Sequence, residues 1–133
     1  MELGYCLTLA VIPKTPFARS VAERARARNM SVLIHLRMES AGKTLSRQEA
    51  SLTLSLESSS AEIGSIVDEA CKSVPGAIGI NNHMGVAATS NPEIMGRLMR
   101  VLVSRNLLFL DSLTAPSSVA WQVAQEHRLP CAR

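Results

Sequence analysis

Short apolar runs alternate along this chain with stretches of helical period, and that alternation restricts the fold more than any other feature. The runs "YCLTLAVI" (5–12), "SVLIHL" (31–36), "AIGI" (77–80) and "LLFLD" (107–111) read as strands. Between the first two, Thr15 offers a hydroxyl cap and Pro16 a fixed φ for a helix to about Asn29, with Phe17, Val21, Ala22 and Ala25 on its buried stripe. Ser59 and Glu62 have the spacing of a capping box. Ile63, Ile66, Val67, Ala70 and Val74 continue it as a helix that Pro75-Gly76 breaks. Ser90 or Asn91 caps the next helix, with Pro92 and Glu93 in its first turn. Its core stripe is Ile94, Leu98, Val101 and Leu102, with Met95 and Met99 beside it as core filler. A last helix runs from Pro116 to about Arg128, and His127 near its end suits the helix dipole. Residues 37–58 carry no clean period and read as a long connection, which in compact domains is usually functional or mobile.

Strands that alternate with helices imply right-handed βαβ crossovers and a parallel sheet. Continuous apolar strands such as "LAVI", "VLI" and "LLFL" fit a sheet covered on both faces or the wall of a barrel. Four βα units are too few for an eight-stranded barrel, which takes about 250 residues. The fold class is therefore α/β with alternating βα units, either a small open sheet or part of a larger barrel, and residues 1–133 make one domain.

Composition narrows the function. One Trp, one Tyr and two Phe leave few faces for stacking bases, and a formal charge of +3 does not demand a polyanion, so nucleic acid is not expected as a partner. The basic cluster Arg19, Arg24, Arg26 and Arg28 reads as a solvated helix face. Cys6, Cys71 and Cys131 form no CxxC pair and read as buried apolar thiols. No apolar run reaches the ~20 residues that span a bilayer, and the N-terminal run, with Glu2 ahead of it and no cleavage site behind, is a poor signal peptide.

In parallel α/β folds ligands bind at the carboxyl ends of strands, and each predicted strand here ends in a chemically capable group. Lys14 and Thr15 follow the first. His35 lies near the end of the second, with Glu39 four residues on; Asn81, Asn82 and His83 follow the third, and Asp111 and Ser112 the fourth. The bland readings stand beside these: a satisfied core imidazole for His35, turn capping for the asparagines, loop capping for Asp111. Two imidazoles and a carboxylate on adjacent strand ends suit a divalent metal that activates water, although the spacing is no local metal motif.

Three segments, "LTLAVIPKTPFARSVAERARARNMSVLIHLRMES", "VPGAIGINNHMG" and "LLFLDSLTAPSSVAWQVAQE", resemble in order the divergent polysaccharide deacetylases, bacterial relatives of the NodB-type carbohydrate esterases. The resemblance covers almost the entire chain. It implies an incomplete NodB-like (β/α) barrel and metal-dependent hydrolysis of an N-acyl group on a carbohydrate, with zinc as the expected metal and a periplasmic or envelope location. Carried over by position, His35 and His83 are the metal ligands. Asp111, Asn81 and Asn82 are catalytic candidates, and Lys14, Glu39 and Ser112 substrate-binding ones.

The chain also departs from the family pattern. The family's opening strand with paired aspartates, of the type "IDDLG", has no counterpart before "CLTLAVIP", and a further strand is expected beyond "RLPCAR". Leu113 stands where an arginine is common, Arg37 where a proline is, and Val86 where a small polar residue is. The expectation is a scaffold lacking a carboxylate half of its site, with weak or absent zinc binding. Hydrolysis would be weakened or lost, and open sheet edges would invite self-association. The alternative is a non-catalytic carbohydrate-binding or protein-interaction remnant of the same fold.

Overall fold

The computed structural model of the chain describes residues 6–40 and 51–133. Five strands, β1 (Thr8–Val11), β2 (Ser31–Met38), β3 (Gly79–Met84), β4 (Leu108–Leu110) and β5 (Cys131–Ala132), form one sheet in sequential order. All four pairings are parallel. Five helices connect them: α1 (Ala18–Arg26), α2 (Ser60–Ser73), α3 (Val86–Thr89), α4 (Pro92–Ser104) and α5 (Ala120–Glu126). A parallel sheet whose order follows the sequence, joined by right-handed crossovers, carries its helices on one face. This is the topology of a barrel wall left open, as the alternating pattern of the sequence leads one to expect.

The strand register shows which side is covered. Ile34 pairs with Ile80, and Ile80 with Phe109. Partners across a parallel ladder point to the same side, and residues two apart along a strand share a face. Val32, Ile34, Leu36, Met38, Ile80 and Phe109 are all essentially buried in a single core with the apolar stripes of the helices. The opposite, concave face carries the other parity: Leu33, His35 and Arg37 of β2, Gly79, Asn81 and His83 of β3, Leu108 and Leu110 of β4.

Local sequence explains the element ends. Ser59 accepts from the Glu62 amide while the Glu62 carboxylate accepts from the Ser59 amide, a complete capping box at the start of α2. The Ser59 amide and the Ser59 hydroxyl both donate to the Glu62 carboxylate and hold it below its usual value. Asn91 accepts from the Glu93 and Ile94 amides and opens α4, with Pro92 in its first turn. The expected core stripes of α2 and α4 are buried, including Met95 and Met99. His127 closes α5, its Nδ1 bonded to the Val123 carbonyl at 2.9 Å.

Several expectations shift. The stripe of α1 is Ala18, Ala22 and Ala25, while Phe17 and Val21 are 73% and 40% exposed. The small residues let the helix backbone sit close to the sheet, and the bulkier pair is turned to solvent. Thr15 does not cap; its hydroxyl donates to the Ile12 carbonyl, and Phe17 stands at the N-cap. Cys6 is exposed, and Cys71 and Cys131 are half-buried, so none of the three is the fully buried thiol expected. Burial still pushes the Cys71 thiol up. The stretch 37–58 is no simple connection: β2 continues through Met38, and Leu54 forms a parallel bridge to it. Leu52 and Leu54 enter the core. Residues 41–50 of that stretch, and residue 5 of the first predicted strand, lie outside the described residues.

The largest shift concerns "GINNHMG". The third strand was expected to end at Ile80, with the asparagines and the histidine in a loop, yet β3 runs to Met84. It stops there because Met84 and Gly85 take successive left-handed conformations, φ 60° and 90°. A Cβ on Gly85 would lie 2.6 Å from the Met38 Cβ, so the residue after Met84 must be glycine on two counts. The polar residues are thus strand residues with fixed directions, and period two sorts them onto opposite sides of the sheet.

Candidate functional site

β2 and β3 pair with His35 opposite Asn81. Asn81 and His83, two apart on β3, share the concave face with His35. The side chains meet accordingly. The His35 Nδ1 lies 3.0 Å from Asn81 Oδ1, and the His35 Nε2 lies 2.9 Å from His83 Nδ1. The two rings pack edge to face, centroids 4.7 Å apart at 74°. The amide nitrogen of Asn81 donates to the Ser112 hydroxyl at 3.1 Å. Asn81 is buried and both imidazoles are half-buried.

Asn82 points the other way and is fully buried. Its amide nitrogen donates to the Met84 carbonyl (3.1 Å) and the Thr114 hydroxyl (3.2 Å), and its Oδ1 accepts from the Ser112 amide at 2.8 Å. Thr114 in turn donates to the Met84 carbonyl at 2.9 Å. This knot binds the end of β3 to the segment after β4, and so carries Ser112 to Asn81.

Asp111 is also buried, but in other company. Its carboxylate accepts from the Leu113 amide (2.9 Å), from the Ser118 hydroxyl (3.0 Å) and from the Arg133 guanidinium, whose Nη2 is 2.9 Å away. Arg133 lies 5.6 Å from the ring centre of Trp121. Asp111 therefore orders the turn that follows β4, with its oxygens engaged there and not on the imidazoles. Lys14 is likewise elsewhere. Its amide donates to the Ser73 hydroxyl at 2.7 Å and its ammonium is 3.8 Å from Glu69, at the C-terminal end of α2. Glu39 accepts from the Leu56 amide at 2.9 Å and ties residues after Leu54 to the end of β2. Of the residues singled out in the sequence, the structure joins His35, His83, Asn81 and Ser112 into one chain of contacts and sets Asn82 directly behind them.

The structure adds Thr114, Ser40, Ser118 and Arg133. Ser40 accepts from the Gly85 amide at 2.9 Å and braces the turn after β3. None of the four carries a local motif, and only the folded register brings them to the site.

The donor chemistry can be tested against a metal. A tetrahedral zinc ion with Zn–N bonds of about 2.0–2.1 Å sets two nitrogens about 3.3 Å apart. The His35 and His83 nitrogens stand at hydrogen-bond distance, 2.9 Å, so the rings must separate slightly to act as two ligands. Among the described residues no group of three or more His, Cys, Asp or Glu side chains converges, so those residues supply two nitrogens and no third donor of that kind.

The profile of the family described as divergent polysaccharide deacetylase matches residues 1–133, the whole of this sequence. The chain belongs to that family. Two curated relatives align with the chain over most of its length. An uncharacterized protein of Haemophilus influenzae is 38% identical over 120 residues, covering 90% of this chain and 42% of its own length. The uncharacterized protein YibQ of Escherichia coli is 42% identical over 125 residues, covering 94% and 38%. The chain thus spans about two-fifths of the length of the curated relatives it matches. The fold is shared with the crystal structure of uncharacterized protein ATU2773 from Agrobacterium tumefaciens C58. That likeness has a TM-score of 0.80 at 15% identity, over 99% of this chain and 65% of the other. Among the described residues no helix is long and apolar enough to cross a membrane.

Proposed function

We propose that this deacetylase-family chain carries the histidine half of a metal-dependent site that hydrolyses N-acyl groups on a carbohydrate. The observation that carries the reading is the His35–His83 pair on the concave face, near the carboxyl ends of β2 and β3, where parallel α/β folds place their chemistry. His35 and His83 would hold the metal. When bound, a divalent metal polarises the acyl carbonyl and lowers the pKa of a water molecule. In the hydrolysis, water adds its oxygen to the acyl carbon, the C–N bond breaks, and the nitrogen leaves protonated as the free amine beside a carboxylate product. The chain's own contribution is to hold the two rings with nitrogens converging, half-buried on the face where a sugar would dock. Asn81 and Ser112 support the rings from beneath, and Asp111 and Asn82 hold the segment that delivers Ser112.

One observation favours a second reading, in which the concave face binds glycan without turnover: the described residues offer two metal-ligating side chains where catalytic zinc sites use three. The two readings separate in one assay. Acetate release from N-acetylated glucosamine oligomers is measured with the full chain, with and without added zinc, for the wild type and for His83→Ala. The proposal expects zinc-dependent release that His83→Ala abolishes. Saturable oligosaccharide binding with no acetate released under any metal condition would replace it with the binding reading.

A further inference from the structure

We infer that Asn81 is a positioning residue that fixes the proton of His35 on Nδ1 and so presents Nε2 as a ready electron-pair donor; the inference rests on the metal-site reading above. The hydrogen positions follow one from another along a short chain of contacts. The amide oxygen of Asn81 can only accept, and it faces His35 Nδ1 at 3.0 Å, so that nitrogen carries the hydrogen. Neutral His35 then has its lone pair on Nε2, which faces His83 Nδ1 at 2.9 Å and accepts from it. The other end of the Asn81 amide gives a proton to the Ser112 hydroxyl at 3.1 Å. Asn81 is held between two partners and is buried, so its direction is set by the fold.

The consequence is specific. A neutral imidazole left to itself favours the hydrogen on Nε2, the nitrogen that must be bare to bind a metal or accept a proton here. Metal-ligating histidines ordinarily have the remote N–H held by an acceptor that orients the ring and sets the tautomer. Asn81 Oδ1 occupies that place for His35 through a neutral amide, with Ser112 as its own support. On loading, His35 keeps its tautomer, and the hydrogen that His83 shares from Nδ1 is the one given up. Only His83 therefore rearranges. Asn81 and Ser112, read from the sequence as catalytic and substrate-binding, act through His35.

The test reads tautomers directly. Long-range 15N–1H spectra of the full chain near neutral pH report which His35 nitrogen carries hydrogen, with zinc affinity measured by calorimetry in parallel. Wild type is expected to show His35 as the Nδ1–H form, and Asn81→Ala to shift it towards Nε2–H with zinc affinity lowered about 10–100-fold. Asn81→Asp restores an obligate acceptor, so it is expected to recover the Nδ1–H form and most of the affinity. A residue that mattered only for packing would give no such split between Ala and Asp. An Nε2–H His35 in the wild type, or an Asp variant indistinguishable from Ala in tautomer, overturns the inference. The tautomer arm needs neither turnover nor metal. Failure to release acetate would sink the deacetylase reading and leave this result standing.

Discussion

His35→Ala and His83→Ala should each remove zinc binding almost completely. Each loses more than the about 10–100-fold that follows when a supporting residue is lost. The reason is the small number of donors. With two imidazole nitrogens 2.9 Å apart and no larger cluster among the described residues, deleting either leaves a single nitrogen. Groups that act as a unit are non-additive, so the double variant should bind no more weakly than the singles. Stability should change little by comparison. Both rings are half-buried, and the hydrogen bonds to described residues that each removal costs are worth about 1 kcal/mol apiece. Calorimetric zinc titration of the three variants, beside urea denaturation, checks this. Additive losses from the two single variants would show that the histidines do not share one ion.

The second large effect is on folding. Asn82→Ala should destabilise the chain by about 3 kcal/mol. Asn82 is fully buried and makes three hydrogen bonds: two donated, to the Met84 carbonyl and Thr114, and one accepted from the Ser112 amide. Truncation leaves those groups short of partners in a region with little water and opens a cavity between β3 and the segment after β4. Asn82→Asp should be nearly as harmful, because a carboxylate keeps the acceptor but gives up both donated bonds. Because the same knot carries Ser112 to Asn81, zinc affinity should fall in the Ala variant as well. Denaturation with urea measures the first effect. A change within about 0.5 kcal/mol, the range of an ordinary surface substitution, would mean that Asn82 is not the tie described.

The elements whose chemistry is local were legible in the sequence. The capping box of Ser59 and Glu62, the Asn91-Pro92 start of α4 and the stripes of α2 and α4 depend on neighbours a turn away, and the structure shows each of them. The phase of α1 was legible only in part: Ala22 and Ala25 are buried as expected, but alanine weighs little in a hydrophobic pattern while the exposed Phe17 and Val21 weigh much. Its close approach to the sheet rewards the smaller residues. The extent of β3 was obscured for a related reason. Asn81, Asn82 and His83 look like a loop by composition, and only pairing with β2 as far as Met38↔Met84 holds them extended.

The histidine pair was legible as two residues but not as a contact. Strand parity alone could have put Asn81 and His83 on one face and Asn82 on the other, had the run been read as strand. That His35 stands opposite Asn81 depends on register between segments more than forty residues apart, which no local pattern encodes. Asp111 shows the opposite failing. It follows β4 as a catalytic carboxylate would, yet it shares the parity of the buried Phe109, and Arg133 and Ser118 meet it there. Family resemblance identifies which residues stand near a site, and the side of the sheet decides what each can touch.

The central claim, that His35 and His83 form the metal-holding pair of the concave face, is tested most directly by anomalous X-ray scattering at the zinc edge from crystals of the full chain soaked in zinc. The account predicts a peak in bonding contact with His35 Nε2 and His83 Nδ1, absent in crystals of His83→Ala. Zinc bound elsewhere on the chain, with the His35–His83 hydrogen bond intact, would contradict it.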